Sequence, residues 1–399
     1  MNVVRCCPSS KSALVSRRIC REANTRATPL SLSNLRWDIF CRVIDNYGDA
    51  GVCWRLAIDL AQRGESVRLF IDQPELIERL RGKLLHPLPQ SPVVLPWPNQ
   101  LNYRSELEVA DVVIEAFACD PPETYIQAMA DCAIAGKPPV WINLEYLSAE
   151  DWVEQSHALP SPHPRLPLTK YFYFPGFTVG TGGLIREPEI QQSILAKDHS
   201  PGGSQKSEIA VFLFGYEQPL LADWLTAINQ SAPLIRLGVA PCALQVQIDQ
   251  WIERCIDKPT WTLDLLPFVP QAEFDALLAS FDLLFVRGED SFVRAQWAAK
   301  PVFWQIYPQD DHAHLVKLRA FYARYLNSGV LNVHQREIFE AFILAWNGVP
   351  PNNGLGQLWS EVIEMLPALE ENARIWRNDL MKQRDLVTQL RDFVVHLVK

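Results

Sequence analysis

A chain of 399 residues exceeds the roughly 250 to 300 residues at which one hydrophobic core stops growing, so two sizeable domains are expected. Hydrophobic residues at 48% and charged residues at 21% describe a soluble globular protein and exclude extended disorder over most of the length. No apolar run reaches the roughly 18 residues of a membrane helix, and a net charge of -9 argues against a general nucleic-acid binder, which needs a basic surface.

Nine cysteines occur without a C-x-x-C pair, and several lie inside apolar runs, which points to buried thiols and a reducing, cytoplasmic setting. Residues 1–36 hold seven Lys or Arg against the single acid Glu22 and have no periodic apolar face. They are expected to be a disordered or misassigned extension; a targeting peptide would need an apolar core.

From Trp37 to Ile44 the chain is rich in strand formers. It then passes through Asp45-Asn46-Tyr47-Gly48-Asp49-Ala50-Gly51 into a helical pattern at Cys53, Leu56, Ala57 and Leu60. Further strands are expected at Ser66 to Ile71, Val93 to Leu95, Asp111 to Phe117 and Pro139 to Leu144, with a helix after Pro74. The stretch from Ser156 to Lys170, rich in Pro, His and Leu, reads as irregular surface, as does the glycine-containing run from Thr178 to Gly183. A linker at 197–206 separates an N-terminal domain, 37–196, from a second one, 207–399.

The second series starts at Ile209 to Phe214 and continues with a helix at Pro219 to Gln230 and strands near Ile235 to Gly238 and Thr260 to Leu266. A helix at Ala272 to Ser280 and strands at Leu283 to Val286 and Val302 to Gln305 follow. The chain ends in a long amphipathic segment from about Leu358 to Val398, free to pack back on the first domain. Strands alternating with helices imply parallel sheets, so both domains are α/β.

Two loops carry the candidate chemistry. The first, Asp45 to Gly51, follows the first strand at the sheet edge where open α/β folds place their ligands. Its two carboxylates suit acid–base work, but helix capping by one Asp and turn roles for Asn46 and Gly48 account for the same residues. It lacks G-x-G-x-x-G, although Asp72 stands where a ribose-binding acid would, which keeps an NAD-dependent enzyme in view.

The second, Arg287-Gly288-Glu289-Asp290-Ser291, lies between a strand and a helix start, where free N–H groups and the helix dipole favour an anion. Arg287 and Ser291 add donors for a diphosphate, whereas Glu289 and Asp290 need ribose hydroxyls or backbone donors beside it; simple capping by Ser291 is the alternative. Phe214, Tyr216, Phe268 and Phe274 surround the same strand ends, where a planar base could stack or a core could pack, and Gln271 could read a pyrimidine edge. There is no D-x-D pair, and His312-x-His314 lacks companion ligands, so no metal and no cofactor are expected. G-x-S-x-G and P-loop signatures are also absent.

At these loops the chain resembles the elongation factor P arginine rhamnosyltransferases, which join a D-N-[YF]-G-D-x-G loop to a distant R-G-E-D-S-F-x-R-A-Q-W segment, here Asp45 to Gly51 and Arg287 to Trp297. The likeness extends through Trp141 to Leu147, Thr181 to Leu184, Pro267 to Gln271 and Trp304 to Gln309, and spans roughly residues 37 to 395. It implies a GT-B glycosyltransferase, two Rossmann-like doubly wound domains facing across a cleft. The activity implied is inverting transfer of rhamnose from dTDP-β-L-rhamnose to an arginine of elongation factor P.

The resemblance puts nucleotide contacts on Phe214, Tyr216, Phe268, Gln271 and Phe274. It puts pyrophosphate or ribose contacts on Arg287, Glu289, Asp290 and Ser291, and makes Asp45 and Asp49 the catalytic pair, with Glu289 also in the site and Asn46, Tyr47, Gly48 and Gly51 shaping the loop. A guanidinium is a weak nucleophile, so one carboxylate must orient it while another takes its proton; Asp45 is expected in the first role and Asp49 in the second. Partners are then the acceptor protein and a nucleotide sugar, with no nucleic acid and no membrane. Glu115, Glu145 and the Thr181 to Leu184 loop are the places to look for the acceptor surface. A non-catalytic nucleotide-binding protein is the remaining alternative; it would be stabilised by nucleotide without releasing sugar, whereas an NAD enzyme would ignore dTDP.

Overall fold

Strands that alternate with helices bury both faces of their sheet, and this chain does so twice. The computed structural model describes residues 34–45, 47–82, 91–97, 108–190, 207–231, 233–309, 312–351 and 354–398. Residues 1–33, Asn46 and the expected linker at 197–206 lie outside them.

The first series runs β1 (Arg36–Cys41), α1 (Tyr47–Gln62), β2 (Ser66–Ile71), α2 (Pro74–Arg81), β3 (Val93–Pro96), β4 (Val112–Ala116), α3 (Glu123–Ile134) and β5 (Val140–Leu144). Strand β1 shows why two layers form: Trp37, Ile39 and Cys41 pack with Cys53, Leu56 and Leu60 of α1. Phe40, on the opposite face by the two-residue period of a strand, packs with Phe70, Tyr125 and Trp141.

The stretch from Ser156 to Lys170 departs from its expected irregularity. After the short helix α4 (Trp152–Ser156) it supplies β6 (Leu159–Pro162) and the start of β7 (Thr169–Tyr173), which pair antiparallel. Strand β7 joins β5 in parallel, so the sheet order is β3-β2-β1-β4-β5-β7-β6. Pro160 and Pro162 disguise β6 in the sequence, yet an edge strand has one side that needs no ladder N–H, and there proline is tolerated.

The second series is β8 (Glu208–Leu213), α5 (Leu221–Ile228), β9 (Leu234–Val239), α6 (Leu244–Arg254), β10 (Thr262–Leu265), α7 (Gln271–Ala279), β11 (Leu283–Arg287), α8 (Asp290–Ala298) and β12 (Val302–Gln305). It forms a parallel five-stranded sheet ordered β10-β9-β8-β11-β12, the same arrangement of first to fifth strands as in the larger sheet. Aromatic stacking fills its core: Phe285 lies flat on Phe303 with ring centroids 4.3 Å apart, and Phe292 on Trp304 at 3.9 Å. The second stack pins the first turn of α8 against β12.

Helices α9 (Ala313–Tyr325) and α10 (Val333–Trp346) follow. The single amphipathic segment expected from Leu358 to Val398 is instead part of three helices, α11 (Gly354–Glu364), α12 (Leu366–Met381) and α13 (Leu386–Val398). Pro367, which has no N–H to give, starts α12, and the Asp385 carboxylate accepts the Thr388 N–H at 2.8 Å to start α13. Leu386, Leu390 and Val394, four residues apart on one face, enter the core of the first sheet. The Leu386 N–H to the Leu184 carbonyl (2.9 Å) and Arg391 Nε to Glu65 (2.8 Å) fasten the helix there. Leu390→Ala is therefore expected to cost about 2–5 kcal/mol, read as a lower urea midpoint by tryptophan fluorescence; an unchanged midpoint would mean that α13 contributes no core packing.

Candidate active site

The carboxyl ends of β1 and β11 face each other, and each leads into a short loop and then a helix. On the β1 side, the Gly48 N–H closes a turn on the Asp45 carbonyl at 2.7 Å. Asp49, in the first turn of α1 and only 4% exposed, accepts the N–H groups of Ile44 (2.8 Å) and Asp45 (3.0 Å), both on Oδ2. Burial raises its pKa above the usual carboxylate value, against the opposing pull of those two donors. Asp49 thus shapes the loop, and among the described residues its Oδ1 accepts no hydrogen bond. Asp72, weighed in the sequence as a ribose ligand, accepts the Val43 N–H (3.1 Å) and closes the other side of this loop.

Asp45 points across the cleft. Its Oδ2 accepts the Tyr216 hydroxyl at 2.5 Å, and its Oδ1 lies 3.2 Å from Arg287 Nη1. The Arg287 guanidinium is stacked over Phe214 (4.7 Å) and Tyr216 (4.6 Å), and its Nε is buried without a hydrogen-bond partner among the described residues. Gly288 comes next, with φ +65°, which strains any residue with a side chain, and a Cβ there would press on Asp45 Oδ2 at 3.0 Å.

Glu289 occupies the N-cap position of α8 and makes no cap bond with its side chain; Ser291 is not the cap. The Glu289 carboxylate accepts the Leu147 N–H at 3.0 Å and lies 3.6 Å from Lys317 Nζ. Burial pushes its pKa up to about 7, opposed chiefly by Lys317. Lys317 also stands 5.5 Å from the ring centre of Tyr146, which stacks on Phe117 at 4.4 Å. Phe117 and Ala118 have positive φ (59° and 53°), a strained turn for residues other than glycine, beside the acids.

A cavity of about 500 Å³ opens between the two loops. Asp45, Tyr47 and Gly48 line it from the first sheet, with Arg79, which donates to the Tyr47 hydroxyl at 3.0 Å. Phe214, Phe268 and Phe274 give it aromatic walls, and Arg287, Asp290 and Ser291 give it a polar end. Gln271 also lines it. Its Nε2 donates to the Gly51 carbonyl (3.0 Å) and to Asp290 Oδ2 (3.1 Å), which orients the amide. Its Oε1 accepts no bond among the described residues.

Asp49, Gly51, Tyr216 and Glu289 stand outside this lining; Glu289 borders a neighbouring void of about 30 Å³ with Glu145 and Leu147. Among the described residues no three His, Cys, Asp or Glu are grouped to hold a metal ion, and no helix is long and apolar enough to cross a membrane.

The model of the family described as elongation factor P (EF-P) rhamnosyltransferase EarP matches residues 37–395. The chain belongs to this family. Relatives named protein-arginine rhamnosyltransferase from Pseudomonas putida and Pseudomonas aeruginosa are 39% and 38% identical to it, each match covering 90% of this chain and 98% of the relative. A solved structure described as the structural basis for EarP-mediated arginine glycosylation of translation elongation factor EF-P aligns with a TM-score of 0.60 at 28% identity, over 91% of this chain and 99% of the other. MurG of Acinetobacter baumannii, at 12% identity and TM-score 0.50 over 91% and 99%, shares the fold alone. The EarP-family chain is a glycosyltransferase with two Rossmann-like domains of the GT-B type.

Two expectations about the acceptor surface of this EarP-family chain are corrected. Glu115 is wholly buried, accepting Lys170 Nζ (2.5 Å) and Trp141 Nε1 (3.1 Å), and Thr181 to Leu184 is buried as well. Strand and loop patterns do not reveal burial by a distant lysine or by the C-terminal helices. Sequence reasoning also passed over Arg55 and Glu187, because nothing local marks residues whose partners lie more than about a hundred positions away, and Lys317, whose partner Glu289 lies 28 positions away on another helix.

Because burial lifts Glu289 above its unfolded value, folding favours its protonated form. Its contribution to stability is therefore complete below the unfolded pKa and is lost as pH rises through about 7. Glu289→Gln, neutral throughout, is expected to melt above the parent at about pH 8, by a margin that shrinks towards about pH 4. Thermal melts of both proteins across that range check it, and a margin independent of pH would refute the buried, ionising carboxylate.

Proposed function

We propose that this protein transfers L-rhamnose, with inversion, from dTDP-β-L-rhamnose to an arginine side chain of elongation factor P in the cytoplasm, without a metal. The observation that carries this reading is the Asp45 contact to Tyr216 and Arg287, which brings an acid-rich loop of one domain against the anion-binding loop of the other. The cavity and the acids beside it suit two different substrates.

At the donor end, Phe214, Phe268 and Phe274 offer faces for a pyrimidine, and the Gln271 Oε1 suits the N3–H of thymine or uracil. Arg287, with its unpartnered Nε, Ser291 and the start of α8 suit a diphosphate. Beside the cavity, Glu145 and Glu289 border the small void and Asp49 lies in the first turn of α1; these acids suit a guanidinium, and the family and the names of the relatives favour arginine and rhamnose there.

In the reaction a guanidinium nitrogen attacks the anomeric carbon as the bond from that carbon to the diphosphate oxygen breaks, and dTDP departs with the electron pair. The nitrogen's proton passes to the Asp49 carboxylate, whose Oδ1 accepts no bond among the described residues. Charge growing on the leaving diphosphate is met by Arg287 and the N–H groups of α8. Asp45, expected to orient the guanidinium, has both carboxylate oxygens on Tyr216 and Arg287 and instead keeps Arg287 and the two loops in register; Glu289 takes over holding the acceptor cation. Glu289 must be ionised for that, so turnover is expected to fall as pH drops below about 7.

Intact mass spectrometry of elongation factor P after incubation with dTDP-rhamnose tests the reading. One added deoxyhexose localised to arginine is expected, with Asp49→Asn and Glu289→Gln each slower by at least about a hundred-fold. No added mass from a folded protein that binds dTDP would remove the acceptor assignment, and near-full turnover in Asp49→Asn would remove Asp49 as the base.

A further inference from the structure

The proposed donor contacts sit on the second domain, yet two of them are gripped from the first. Gly51 and Arg55 lie one turn apart on α1. The Gly51 carbonyl accepts Gln271 Nε2 (3.0 Å), and Arg55 Nε donates to Asp290 Oδ1 at 2.7 Å. The same Gln271 Nε2 also reaches Asp290 Oδ2 (3.1 Å), so the three side chains and the helix backbone close a ring. A Cβ at Gly51 would lie 3.0 Å from both Asp290 Oδ2 and Gln271 Nε2, so α1 seats against this pair at backbone distance.

Arg55 is the buried cation of the ring. Its side chain is 6% exposed, its Nη1 lies 3.4 Å from Glu187, and its Nη2 is buried without a partner. Glu187 is held in turn by Arg294 Nη1 at 2.5 Å, and Arg294 forks onto Asp275 at 2.7 and 2.6 Å. Arg294 is turned to Glu187 and Asp275, and among the described residues Arg55 is the cation paired with Asp290. Asp290 lines the cavity beside Arg287 and Ser291, where its negative charge would oppose a diphosphate.

Resting on the donor reading above, we propose that Arg55 is a positioning residue for the nucleotide: from the first domain it neutralises and aims Asp290, and through Asp290 and Gln271 completes the binding site on the second. Nucleotide affinity then depends on contact between the domains. Arg55 acts through Asp290, touching neither base nor phosphate.

The test is calorimetric titration of dTDP, with UDP in parallel, into the full chain carrying Arg55→Met, Asp290→Asn or both. Arg55→Met is expected to weaken binding by about ten-fold or more, as when one partner of a buried charge pair is removed. In the Asp290→Asn background, where no charge is left for Arg55 to offset, the same substitution should cost less than about three-fold. Arg55→Lys, which keeps the charge, should recover most of the loss.

If Arg55→Met does not fold, Arg55→Gln replaces it in the same comparison. A loss from the parent below about three-fold, or one that shrinks by less than half on a logarithmic scale when Asp290 is Asn, would overturn the proposal and leave Arg55 a structural salt bridge. A parent that binds neither nucleotide would overturn the donor reading and this one with it.

Discussion

Asp45 is held at once by a hydroxyl and a guanidinium from the opposite sheet, Tyr216 Oη at 2.5 Å and Arg287 Nη1 at 3.2 Å. Most of the site depends on that meeting. Arg287 is aimed by it, Gly288 packs closely beside it, and Asp45 and Arg287 both line the cavity between the aromatic walls. The strand ends supply rigid supports on both sides. The stack of Phe292 on Trp304 and the bond from Trp304 Nε1 to the Gly288 carbonyl (3.0 Å) fix the turn before α8.

The cleft is crowded with carboxylates, and a fold that buries acids must arrange for their charge. Three solutions occur within a few residues. Asp290 and Glu187 are paired with arginines, and that pairing holds Glu187 down to about 2. Asp49 is satisfied by backbone donors, and Glu289, with one donor and a lysine at 3.6 Å, stays poised near neutrality. Buried ion pairs contribute little net stability once desolvation is counted, so the network is better understood as geometry held in place than as a source of folding energy. Under the proposed reaction, a cationic acceptor entering beside Asp49 and Glu289 would meet these acids, and a diphosphate would meet Arg287 and a helix start.

The α/β class, the repetition of the pattern, most strand positions and the two chemical loops were legible in the sequence. Period-two and helical apolar patterns are local, and Asp45 to Gly51 and Arg287 to Ser291 each sit at a strand end visible by that periodicity. The local signals failed where local and tertiary requirements diverge. Pro160 and Pro162 read as loop although an edge strand accepts them, and the run ending at Val398 read as one helix because breaks at Pro367 and Asp385 interrupt the chain without interrupting its amphipathic character.

By itself the sequence determined the elements, their class and the residue types available for chemistry, since these follow from spacing along a few turns or strands. Only the tertiary structure decided which acids face the cleft. Glu115 and Glu289 are both acids near a strand end, yet one is buried under Lys170 and Trp141 and the other stands beside the cavity. Arg55 shows the same limit: its partners Asp290 and Glu187 lie 235 and 132 residues away, and charge pairing at that separation is set by tertiary packing, within the first domain for Glu187 and between domains for Asp290, which no local pattern encodes.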